Sequence, residues 1–129
     1  MTTKQLTKED IRAASDLGME KLAVPEWGGF VYVRTVTAKE KDAFERAMLA
    51  KGGETMENVR AQMAVLTVCD ENRTPLFTDA DAEWLAGKSA APLSRVLNVA
   101  LRLNAFRESD VKELAEGFEN RQGANSSTA

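Results

Sequence analysis

Apolar residues recur at helical spacing most densely in residues 89–106, SAAPLSRVLNVALRLNAF. On a 3.6-residue helix Leu93, Val96, Leu97, Val99, Ala100, Leu101 and Leu103 share one broad sector, and Ser94, Arg95, Asn98 and Arg102 share the other. A surface helix usually shows an apolar stripe of roughly 100°. This one is wider, so it predicts a helix covered by several neighbours and sitting at the centre of the fold. Ser89 is the expected N-cap, and Pro92 falls in the first turn, where its missing N–H costs little.

The other elements read in order from the N-terminus. Thr7 with Asp10 forms a capping start for a short helix over residues 8–16, with Ile11 and Ala14 inward and Gly18 as its stop. It is too short to stand alone and should dock. Residues 19–36 predict a β-hairpin: two alternating arms joined by Pro25-Glu26-Trp27-Gly28-Gly29, whose glycines supply positive φ. Val31, Val33 and Thr35 face one side, and Phe30, Tyr32 and Arg34 the other; Leu22 and Val24 oppose Lys21 and Ala23. A lone two-stranded hairpin is barely stable in water, so it must lean on the body or on another chain.

Thr37 and Glu40 make a capping box for a helix over residues 38–50 with Phe44, Ala47 and Met48 inward, ended by Gly52 and Gly53. Thr55 caps a helix over residues 56–69 carrying Met56, Val59, Met63 and Leu66 in register. Its AVLTVC end is apolar all round, which also suits a buried strand; length favours helix. A turn at DENRTP and a short extended Leu76-Phe77 follow, and Thr78 with Asp81 opens a short helix bearing Trp84 and Leu85, stopped at Gly87. Beyond the central helix, Ser109 caps a last helix over residues 110–119 with Val111, Leu114 and Phe118. The tail, residues 120–129, has no apolar anchor and is expected to be disordered. The fold class is therefore mostly α: one small domain over residues 1–119, with five to six helices and an N-terminal hairpin.

Composition narrows the function more than it names it. Hydrophobic residues make up 43% and charged residues 29% of the 129, as in a globular domain. With 17 basic and 20 acidic residues the net charge is −3, unlike the basic face of a duplex-DNA binder. No apolar run suits a signal peptide or a membrane span, and the one cysteine, Cys69, permits no internal disulfide. A soluble cytoplasmic protein is expected. Without histidine, zinc catalysis and a Ser-His-Asp triad are excluded, and Cys69 reads as buried filler rather than a nucleophile.

Two ligand motifs fail on their own terms. Gly87-Lys88-Ser89 lacks the leading glycine of a phosphate loop, Ala82 standing in its place, and a helix rather than a strand precedes it. Asp79, Asp81 and Glu83 alternate like calcium ligands, yet Trp84 and Ala90 occupy the positions where an EF-hand needs glycine and glutamate. What remains is contact surface. Trp27, Phe30 and Tyr32 on the hairpin are either covered by a helix or candidate partner-binding residues, since an exposed apolar patch on a soluble protein marks a binding surface. Arg95 and Arg102, beside Asn98, form a candidate anionic docking stripe for an acidic protein patch or RNA. Met48, Met56 and Met63 offer adaptable packing. Self-association through the hairpin edge also fits this reading.

The stretches VPEWGGFVYVRTVTAKEKDAFE and NVRAQMAVLTVCDENRTPLFTDADAEWLAGKSAAPLSRVLNVALRLN resemble the tail assembly chaperones of long, flexible-tailed bacteriophages. The features are the PEWGG turn, the VYVR strand, the T-x-x-E start followed by DAFE, the helix end before Asp70, LFTD, and KSA-x-P-L opening the long helix. Their order and spacing extend over residues 4–118. The resemblance implies a non-enzymatic chaperone with no cofactor and no catalytic residues, binding the tape-measure protein and recruiting tail-tube subunits. It implies action in the host cell cytoplasm and absence from the mature virion, with no nucleic acid or membrane partner. The family it resembles often makes a second, longer product by ribosomal frameshift; a protein sequence does not show a slippery site, and that point stays open for this chain. Two other readings stay open on the residues alone: a small acidic adaptor acting on one folded partner, and an RNA or nucleotide module using Lys88, Arg95 and Arg102.

Overall fold

The computed structural model describes residues 4–50 and 56–106. The glycine stop at residues 52 and 53, the Thr55 cap, the final helix and the tail lie outside the described residues. Among the described residues five α-helices and three strands follow in the order α1 Lys8–Ala13, β1 Met19–Val24, β2 Gly29–Arg34, α2 Ala38–Ala50, α3 Met56–Thr67, β3 Val68–Cys69, α4 Ala82–Leu85 and α5 Ala90–Leu103. The helical body with its N-terminal antiparallel hairpin is the expected class.

The strands form one antiparallel sheet in the order β1-β2-β3. The register pairs Glu20 with Val33, Lys21 with Tyr32, Leu22 with Val31 and Val24 with Gly29, and Val33 with Val68 on the other side. Period-two alternation then puts Leu22, Val24, Val31, Val33 and Val68 on one face. That face packs on the helices: Val24, Val33 and Val68 are fully buried. Of the two turn glycines only Gly28 has positive φ, 83°, closing a 3-10 turn over Pro25–Trp27. Gly29 is an ordinary first residue of β2.

The hairpin is not alone, because the end of the third helix leaves it. Residues 68 and 69 are strand, not helix. The Thr67 hydroxyl donates back to the Met63 carbonyl at 2.7 Å, a bond that competes with the helical ladder, and two residues of high strand preference follow. An all-round apolar run carries no period to reveal this switch. Beyond it Asp70 Oδ1 accepts from the amides of Asn72 and Thr74, and Pro75 bridges back to Cys69. Arg73 ties that turn to the hairpin base through the Gly18 and Thr35 carbonyls.

α5 is the centre of the body, with Pro92, Leu93, Val96, Leu97, Val99 and Ala100 buried, chiefly against α3 and the sheet. Ser89 holds the N-cap position, although its side chain makes no capping bond. The C-terminal end is anchored by a residue the pattern did not single out. Asn104 Oδ1 accepts from the Val36 amide at 2.7 Å, and its Nδ2 donates to the Arg34 and Ala100 carbonyls. Ala105 takes positive φ, 57°, so that the Phe106 amide reaches the Leu101 carbonyl in a Schellman-type ending. Phe106 then packs edge-on against Phe44 of α2.

α2 starts with the expected capping box: Thr37 Oγ1 accepts from the Glu40 amide and Glu40 Oε1 from the Thr37 amide. Phe44 and Met48 are buried, whereas Ala47 is exposed rather than inward. Arg34, expected on the open side of the sheet, is 8% exposed; its guanidinium donates to the Leu66 carbonyl and pairs with Glu40. The backbone bond from Thr37, with the nearby Arg34 charge, holds the Glu40 carboxyl below its ordinary range. A lowered folded pKa gives stability that is complete above the unfolded value and is lost as pH falls through the folded one. Glu40→Gln should therefore flatten the loss of stability below roughly pH 5 in urea titrations. An unchanged acid limb would remove Glu40 from that role.

α1 departs from expectation. It ends at Ala13, keeps the Thr7–Asp10 capping box, and buries none of its residues. Ile11, expected inward, is 63% exposed. Local bonds, the capping box and the Glu9–Arg12 pair, hold this turn-and-a-half among the described residues.

Candidate partner-binding surface

The same alternation that buries Val33 turns the other face of the hairpin outward. Ala23, Phe30 and Tyr32 lie there with Lys21. Phe30 is 51% exposed and meets Tyr32 edge to face at 5.6 Å between centroids. The Lys21 ammonium sits 4.1 Å over the Phe30 ring. Such a cation partly screens an aromatic from water without covering it. Among the described residues no strand pairs with the outer edge of β1, where its outward N–H and C=O groups face away from β2.

Trp27 belongs to a different place. The Gly28 reversal carries it toward the helices, where it is partly buried against the core. With Phe77, Trp84 and Leu85 it lines a cleft of about 370 Å³, rimmed by Glu26 and Lys88. Trp84 is half exposed, stacks edge-on against Phe77 at 5.8 Å, and donates its Nε1–H to Asp81. The sequence singled out Trp27 and named Trp84 only as an apolar residue of the short helix before Gly87. A tryptophan three residues before a glycine stop was the available signal for this cleft.

Arg95 and Arg102 reach neither aromatic group directly. Arg95 pairs with Glu26 and Arg102 with Glu20 at 2.7 Å, so the two arginines strap the hairpin to α5. Both glutamates are held below their ordinary range, chiefly by the hydrogen bond from their arginine. Exposed pairs of this kind contribute little stability in salt. The stripe presents neutralised arginines, with Asn98 exposed between them.

The discounted motifs stay structural. Asp81 completes a capping box with Thr78, and residues 87–89 follow a helix. Among the described residues no three His, Cys, Asp or Glu side chains stand together as metal ligands, and no helix is long and apolar enough to cross a membrane. Cys69 is 1% exposed, and burial pushes its thiol pKa up against the pull of Arg34 and Arg73. A thiol reagent at neutral pH should modify the folded protein at least ~100-fold more slowly than the urea-unfolded chain. Comparable rates would show that the β3 region opens freely.

The described residues thus form a helical body with an antiparallel hairpin, and the aromatic side chains of Phe30 and Trp84 stand half exposed on it. The sequence model of the phage tail assembly chaperone family matches residues 11–117, and the chain belongs to that family. Its fold is similar to that of the bacteriophage HK97 tail assembly chaperone, with a TM-score of 0.53 at 19% identity. That similarity covers 74% of this chain and 90% of the other. Comparison with curated proteins gives no match.

Proposed function

We propose that this chain is a non-enzymatic assembly factor that binds the tape-measure protein and recruits tail-tube subunits around it. It would act in the cytoplasm of the host cell and leave before the virion is complete. The observation that carries this reading is the open face of the sheet, where Phe30 and Tyr32 offer stacked aromatic area beside Lys21. A long helical partner with apolar stretches needs such area to stay soluble during assembly, and buried aromatics of this kind dominate contact energies. Trp27 in its cleft and the paired Arg95 and Arg102 complete the proposed contact set. Their ion pairs lie along the border between the hairpin and α5.

Capture tests the reading. Immobilised protein should retain the tape-measure protein and then tail-tube protein from purified components. Retention of neither would reject it. The unpaired β1 edge also fits self-association, an extension of the same surface. In sedimentation velocity the Phe30→Asp, Tyr32→Asp variant should shift toward the monomer; a mass distribution equal to wild type would reject self-association through this face.

A further inference from the structure

We propose that a second surface, the groove between α2 and α3, takes an amphipathic partner helix carrying lysine or arginine beside its apolar face. This deepens the proposed function and rests on it, by giving the chaperone a contact separate from the hairpin. The groove holds about 440 Å³ over a floor of Ala43, Phe44, Ala47, Met48, Val65 and Leu66. A neighbouring hollow of about 320 Å³ shares Gln62 and Asp79 with it and extends the trough along α3 to Glu83.

Two features select the occupant. Every charged residue lining the pair of hollows is acidic: Glu40, Asp79 and Glu83. Glu40 is already engaged by Arg34 and Thr37, while Asp79 and Glu83 have no ion pair among the described residues. The chain's net charge of −3 adds to the attraction for a basic partner. The floor, in turn, is apolar and offers few hydrogen-bonding groups. An extended peptide laid there would leave backbone N–H and C=O groups unpaired, whereas a helix satisfies its own. Ala43 and Ala47, exposed one turn apart on α2, leave no long side chain across the trough. Buried Met48 and Phe44 form a deformable base beneath it.

The test uses fluorescence anisotropy with a labelled synthetic helix of about 18 residues, long enough to be helical when bound. One probe has leucine at helical spacing flanked by lysine; its counterpart replaces each lysine by glutamate. Wild type should bind the lysine probe at least tenfold more tightly, and added salt should erode that preference. Asp79→Lys with Glu83→Lys should reverse the preference, and Ala47→Arg should weaken the lysine probe at least tenfold while its thermal melt stays near wild type. Equal binding of both probes, or undiminished binding by Ala47→Arg, would overturn the assignment. So would a lower sedimenting mass for Ala47→Arg, which gives the groove to a second copy. Tape-measure capture measured alongside separates the two readings. Lost probe preference with capture intact overturns the groove alone, and absent capture with probe preference intact overturns the proposed function alone.

Discussion

Phe106→Ala should lower the unfolding free energy by about 3 kcal/mol, the usual cost of emptying a buried aromatic site. Phe106 is 7% exposed, meets Phe44 at 6.4 Å between centroids, and lies under the Lys41 ammonium. It is the peg by which the end of α5 is fixed to α2, next to the Asn104 bonds that fix the same end to the sheet. In a domain of this size such a loss should bring the melting midpoint down by roughly 10 °C or more. Urea unfolding of wild type and variant measures it. A change below about 1 kcal/mol would mean that α5 is held to α2 by other contacts.

Phe30→Asp with Tyr32→Asp should weaken tape-measure binding by roughly 100-fold, at about 1.4 kcal/mol per tenfold and two aromatic hot spots lost. On the outward face Phe30 is half exposed and Tyr32 partly buried, so the substitutions place carboxylates at the surface rather than in the core. The fold should survive, with a melting midpoint near wild type. Calorimetric titration against the tape-measure protein reads the affinity. Binding equal to wild type would move the contact off the sheet face, to the Trp27 cleft or the α2–α3 groove.

How much of this was legible in the sequence follows the kind of signal each element carries. α5 was legible because its apolar sector is wide and sustained, and α2 because Thr37 and Glu40 announce its start. Alternation separated Phe30 and Tyr32 from Val31 and Val33 at strand spacing but did not decide how far that face is covered: Phe30 is half exposed, whereas Arg34 on the same side is buried. The end of α3 was not, because AVLTVC is apolar in every direction and only pairing with Val33 decides for strand. The arginine straps were also hidden: Arg95 and Glu26 are 69 residues apart, Arg102 and Glu20 82. Nothing local marks such partners. Trp27 was grouped with Phe30 and Tyr32 by nearness in sequence, and the left-handed Gly28 separates them. The docking of α1 was inferred from its shortness, yet a capping box and the Glu9–Arg12 and Lys4–Asp10 ion pairs suffice to write a turn and a half of helix.

The most direct trial of the account is co-expression of the tape-measure protein with and without this chain, followed by recovery of the soluble fraction. The account predicts a tape-measure protein that is insoluble alone, soluble with this chain, and co-purified with it at defined stoichiometry. A tape-measure protein equally soluble in both cultures, with this chain absent from the purified material, would contradict it.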